Sequence, residues 1–213
     1  ITDANQQWII TAYTLAFGSL LLLGGRIGDY MGRKKIFLIG LMGFAAASAL
    51  GGMASNQELL FASRALQGVF AALLAPAALS IISVTFTVPA ERAKAFGVIG
   101  AISGGGAAIG LILGGALTEY FSWRWCLGVN TPIAIGAAIL AIKFVRESKA
   151  QGDNTYDIPG VITATSGLFA LTYGFHEAAT KGWSSSLTIG FLVSAVFLLA
   201  IFVAIEKRVA NPL

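Results

Sequence analysis

A chain of 213 residues would ordinarily make one or two soluble domains, but 56% of it is hydrophobic and only 11% is charged, against the roughly 25% charged that is usual in soluble domains. So little charge cannot cover a water-facing surface, which excludes an ordinary soluble protein and points to lipid as the solvent. The net charge of +4 then marks membrane sidedness and gives no argument for nucleic acid. One cysteine, Cys126, excludes an internal disulfide, and one histidine, His176, excludes a histidine-clustered metal site.

Seven apolar stretches approach the roughly 20 residues that a helix needs to cross about 30 Å of hydrocarbon. In chain order they are Trp8–Gly25, Ile36–Ala54, Leu59–Val84, Ala95–Leu117, Leu127–Phe144, Ile158–Phe175 and Leu187–Ile205. Lipid offers no hydrogen-bond partners, so these segments predict helices and not isolated strands. Pro76 is expected to kink the third span. Asn130 and Pro132 fall near the start of the fifth, where proline is tolerated, and Asp157 with Pro159 predicts a capped start for the sixth. Residues 146–157 form the longest hydrophilic stretch and read as a linker between residues 1–145 and 158–213.

Basic residues set the orientation. Alternate loops hold Arg26, Arg33, Lys34 and Lys35, then Arg92 and Lys94, then Lys143, Arg146 and Lys149, then Lys207 and Arg208. The intervening loops hold only Arg124 and Lys181. The first set therefore faces the cytoplasm, and Trp8, Trp123, Trp125 and Trp183 fall at outer span ends as interfacial anchors. Ile1 then faces outwards, and both ends read as cut from a longer protein with a further span before Ile1.

Three constellations stand out. The first is "GGRIGDYMGRKKIF" at Gly24–Phe37, read as a loop in which Asp29 lies among basic residues. An acid there pairs with a neighbouring base or sits at the positive N-terminus of a helix; a simple tight charged turn is the plainer reading. The second is "FASRALQGVFAA" at Phe61–Ala72. A charge within a span is costly and a functional candidate, and Arg64 shares a helix face with Gln67. Arg64 is also only about 8 Å from the outer span end, so snorkelling to the headgroups competes with that role. The third is a stripe at Gly106, Gly110 and Gly114, four residues apart, whose spacing suits backbone-to-backbone helix packing. Glu119, His176 and Glu177 lie at outer span ends and read as solvated interfacial groups; no Asp or Glu lies well inside any span.

These stretches resemble the major facilitator superfamily. Gly25, Asp29, Gly32, Arg33 and Lys34 occupy the places of its signature motif, with Tyr30 where many members carry Arg. Arg64, Gln67 and Gly68 are similar to its fourth-span motif. Gly106, Gly110, Gly114 and Gly115 resemble its antiporter motif, with Leu111 in place of the usual proline. "WRWCLGVNTPIAIG" and "EKRVANPL" resemble the fourteen-span drug:proton antiporters, in which this chain would supply spans two to eight.

The resemblance implies an all-α polytopic membrane bundle that exports small amphipathic or cationic organic compounds across the plasma membrane of a bacterium. A proton gradient would be the energy source, with no cofactor, metal or nucleic acid. Asp29 and its neighbours would latch the cytoplasmic side, and Arg64, Gln67 and Gly68 would serve proton coupling or substrate access. The glycine stripe would be a helix contact, and the titrating acid would lie outside this sequence. A uniporter or symporter is the alternative.

Overall fold

The computed structural model describes residues 3–150 and 157–209, and among them every regular element is an α-helix. The helices are α1 (Asp3–Met31), α2 (Arg33–Gly52), α3 (Gln57–Thr85), α4 (Pro89–Tyr120), α5 (Arg124–Gly128), α6 (Asn130–Phe144), α7 (Ile158–Lys181) and α8 (Ser186–Glu206). Counting Arg124–Phe144 once, seven are long and apolar enough to cross a membrane. All seven expected spans are present.

Local chemistry explains where the helices start and break. Pro132 has no N–H to offer the Gly128 carbonyl, and α5 gives way to α6 just there. The Asn130 amide partly compensates by donating to the Cys126 carbonyl at 3.3 Å. Asp157 caps α7, accepting from the Gly160 N–H at 3.0 Å, as its "DIPG" context predicts. Asn56 does the same for α3, accepting from Leu59 N–H at 2.8 Å.

One expectation needs correcting. The stretch Gly24–Phe37 is not a loop: α1 runs on to Met31, α2 starts at Arg33, and Gly32 alone separates them. Gly32 has φ +113°, a backbone region that side chains with a Cβ rarely adopt, so one residue suffices to turn the chain. The residues of the linker from 146 to 150 carry no regular structure, while 151–156 lie outside the described residues.

Packing follows small residues, as it must where lipid supplies no hydrophobic drive between helices. α1 and α3 meet most closely. A Cβ on Gly68 of α3 would collide with the Tyr13 carbonyl oxygen of α1 and come within 2.8 Å of Ala16 Cβ. A Cβ on Gly24 of α1 would collide with the Ala72 carbonyl of α3. That carbonyl is the one left without an intrahelical donor by Pro76, four residues on. Leu41 and Ala45 of α2 pack on Ala134 and Ala138 of α6. The α7–α8 hairpin closes through Gly167 and Gly174, where an added Cβ would meet Leu199 and Leu192 at 2.9 and 2.8 Å, and α7 docks on α1. Among the seven spans α4 is the exception, with no buried residue. It is held near its end, where Cys126 Sγ lies 3.4 Å from Thr118 Oγ1 and 3.5 Å from the Gly114 carbonyl.

Candidate functional site

Two polar clusters collect the residues singled out in the sequence, one at each end of the bundle. At the basic end, Asp29 Oδ1 accepts from Arg33 Nε at 2.9 Å and from its terminal nitrogen at 2.7 Å. The two residues are four apart but straddle the Gly32 break, so the pair pins α1 to α2. Side-chain exposures of 29% and 14% shield it from much of the salt screening that weakens a surface pair. Of the two roles open to Asp29, the structure realises the ion pair.

The N-terminus of α2 is taken by another acid. Glu147 accepts from the backbone N–H groups of Lys34 at 3.1 Å and Lys35 at 3.0 Å. This puts a carboxylate where the helix has unpaired donors and partial positive charge. Backbone bonds run beside it: Arg33 N–H donates to the Ser148 carbonyl at 2.9 Å, and Ala150 N–H to the Asp29 carbonyl at 3.0 Å. Lys34 Nζ donates to the Ile142 carbonyl in the last turn of α6 at 2.8 Å. The segment after α6 is thus strapped across the α1–α2 joint. A Cβ on Gly32 would lie 2.8 Å from the Glu147 carboxyl carbon, so glycine is required there for space as well as for φ.

At the opposite end, Arg64 of α3 turns inwards. Its Nε donates to the Ile9 carbonyl of α1 at 2.8 Å, and another guanidinium nitrogen donates to Gln67 Oε1 at 2.6 Å. Gln67 Nε2 donates to Ser48 Oγ of α2 at 2.5 Å. The guanidinium carbon also sits 4.7 Å from the Tyr13 ring centroid, within cation–π range. Gln67 and Ser48 are fully buried, so three helices are joined through one polar chain. One guanidinium nitrogen thus reaches Gln67, deeper in α3, while Nε holds the Ile9 carbonyl near the start of α1. Arg64 also lines a cleft of about 720 Å³, with Gln6, Leu60, Thr118 and Trp123. Among the described residues no carboxylate pairs with it.

A profile of the Major Facilitator Superfamily matches residues 1–208. The chain belongs to that superfamily. A puromycin resistance protein of Streptomyces alboniger is 52% identical over 213 residues, covering 100% of this chain and 42% of that protein. A cephamycin export protein of Amycolatopsis lactamdurans is 38% identical over 213 residues, covering 99% and 44%. A multidrug efflux pump of Mycolicibacterium smegmatis is 35% identical over 209 residues, covering 98% and 41%. The chain therefore spans about two-fifths of the length of these curated relatives. Family and helices together make it part of a multi-pass membrane protein.

Within the facilitator chain, Asp29, Gly32, Arg33 and Lys34 come together at the basic end with Glu147, and Gly25 packs there against Pro76, with Cβ space of 3.4 Å. Arg64 and Gln67 bond directly, whereas Gly68 acts as the close-approach point of α1 and α3. The stripe Gly106, Gly110, Gly114 and Gly115 is brought against nothing: a Cβ at any of the four would meet no described atom within 4 Å. Sequence reasoning missed Glu147, whose only signal was an acid amid basic residues in "VRESK". It also took Glu177 for a solvated group. Glu119 is indeed exposed, but Glu177 is only 3% exposed. It turns into the α7 packing face beside buried Ala178 and holds Lys181 Nζ at 2.8 Å, which offsets the cost of burying a carboxylate.

Proposed function

We propose that this chain is part of a proton-coupled exporter of small amphipathic or cationic organic compounds that works by alternating access in a bacterial plasma membrane. The observation that carries this reading is the contrast between the two ends of the bundle. At the basic end Asp29, Arg33 and Glu147 fasten α1 to α2 beside a cleft of about 540 Å³, whereas the larger cleft at the other end, about 720 Å³, opens onto Arg64. Such a contrast is what one half of a rocking transporter requires. The export and resistance names of relatives that match along the whole chain support the direction of transport.

On this reading the basic end is cytoplasmic, and Asp29 with Gly25, Gly32, Arg33 and Lys34 forms a latch made in one state and released in the other. Arg64 and Gln67 serve coupling or substrate access. The glycine stripe of α4, open in this structure, meets a helix from the remaining length of the protein. Residues 1–145 belong to the main bundle, and α7 and α8 are an extra pair docked on it.

The test uses everted membrane vesicles carrying the full-length protein. An acid interior drives accumulation of a cationic dye, and a protonophore abolishes it. Asp29→Asn inserts normally and slows accumulation roughly tenfold, equivalent to the loss of about one charge-assisted hydrogen bond. Accumulation that ignores the proton gradient replaces the antiporter by a uniporter, and an unchanged rate in Asp29→Asn removes the latch.

A further inference from the structure

The contact between α7 and α1 carries a titratable group that the transport reading does not use. His176, in the last turns of α7, places Nδ1 3.1 Å from Thr11 Oγ1 on α1. The Thr11 hydroxyl has one proton and directs it to the Gln7 carbonyl at 2.9 Å. With that proton so placed, the Thr11 oxygen accepts, and we assign His176 Nδ1–H as the donor. On this assignment Nε2 is the atom at which a further proton binds. The imidazole is flanked by Trp8 of α1, with ring centroids 5.3 Å apart, and by Tyr173 of α7, at 6.0 Å.

Among the described residues the charges around the ring are few. On α7, Glu177 is buried and paired with Lys181 at 2.8 Å, so the lysine's positive charge is met by its own carboxylate. Among the described residues, the α1 side chains that meet the ring are Trp8 and Thr11, neither of them charged. From α8 the nearest side chain of the cluster is Phe191, which packs on Tyr173 with centroids 4.6 Å apart. Thr188 of α8 is buried and donates to the Gly182 carbonyl.

We propose that His176 is a proton-responsive joint that fastens the α7–α8 hairpin to α1 at the end of the bundle opposite the basic residues. A proton taken up at Nε2 leaves the Nδ1–H donor in place and makes its bond to Thr11 charge-assisted, roughly twice as strong as a neutral one. The indole face of Trp8 stabilises the same cation. Acidification on that side therefore tightens the hairpin onto the bundle. Imidazole is suited to this because its charged form carries a proton on both ring nitrogens. The joint itself does not depend on the transport reading; only its consequence for export does.

Two measurements on the full-length protein in lipid nanodiscs test it. The first is the Trp8 contribution to tryptophan emission, isolated as the difference between the wild type and Trp8→Phe, because an imidazolium in contact with indole quenches it. Acidification across the histidine range lowers this emission along a one-proton curve, and His176→Gln, which keeps a donor for Thr11, abolishes the change. The second is amide hydrogen exchange in α1 and α7 around Thr11 and His176, corrected for intrinsic rate. Protection rises about fivefold on acidification in the wild type, the gain of a charged over a neutral hydrogen bond, and stays flat in His176→Gln. An unchanged response in His176→Gln, or no response in the wild type, overturns the joint. Should Trp8→Phe fail to fold, the exchange comparison decides alone. Absence of transport in a vesicle assay touches neither readout, so the two readings fail separately.

Discussion

Arg64→Ala in the full-length protein lowers proton-driven export by on the order of 100-fold, the loss expected when charge-assisted hydrogen bonds worth roughly 1.5–3 kcal/mol are removed. Among the described residues of the cleft lining the guanidinium is the only cation, and it makes three contacts at once: to the Ile9 carbonyl, to Gln67 and over the Tyr13 ring. Its removal also leaves Gln67 Oε1, fully buried, without its donor, at a cost of about 1–3 kcal/mol in stability. Transport loss alone would therefore not separate a functional Arg64 from a structural one. The double variant Arg64→Met with Gln67→Leu does. Replacing both partners by apolar groups of similar shape restores thermal stability, because nothing buried is left unpaired, yet export stays lost. Recovery of export along with stability would show that the Arg64 cluster only holds α1, α2 and α3 together.

The second large effect is on folding. Gly68→Ala lowers the thermal stability of the purified full-length protein by about 3 kcal/mol or more, at the upper end of what overpacking costs. The sign is the informative part, because alanine is the better helix former by about 1 kcal/mol. At Gly68 that gain is overwhelmed: the new methyl group would meet the Tyr13 carbonyl, Ala16 Cβ at 2.8 Å and Phe17 N at 3.0 Å. Two of these three are backbone atoms and have no rotamer to yield. Gly136→Ala on α6 is the control. No atom lies within 4 Å of its added Cβ, so it is neutral or mildly stabilising. Equal melting temperatures for the two variants would mean that α1 and α3 do not approach as closely as the structure has them.

These two residues show what the sequence made legible. The spans were readable because lipid allows few alternatives, so a run such as Leu59–Val84 has to be a helix. The pairing of Arg64 with Gln67 was readable because both lie on one element, three residues apart. Gly68 was harder, since a glycine beside a motif residue says nothing of which neighbour comes close. Glu147 was out of reach for a related reason. Its partners Lys34 and Lys35 are separated from it by 113 and 112 residues, and only the folded chain brings the segment after α6 back over α2. Glu177 was misjudged because position along a span fixes depth but not facing, and a small rotation decides whether a side chain meets lipid, water or another helix. The extension of α1 to Met31 was missed because the charges at Arg26 and Asp29 mark the membrane boundary, not the helix end.

Everything attributed to the two ends depends on their lying on opposite sides of a membrane. A cysteine-free version of the full-length protein, given one cysteine by Ser184→Cys or by Lys149→Cys, tests this with a membrane-impermeant maleimide on intact cells. Position 184 follows α7 at the end opposite the basic residues, and position 149 lies in the strap over the α1–α2 joint. The account predicts labelling of Ser184→Cys in intact cells, and of Lys149→Cys only after the membrane is opened. Labelling of both in intact cells, or of Lys149→Cys alone, would contradict it.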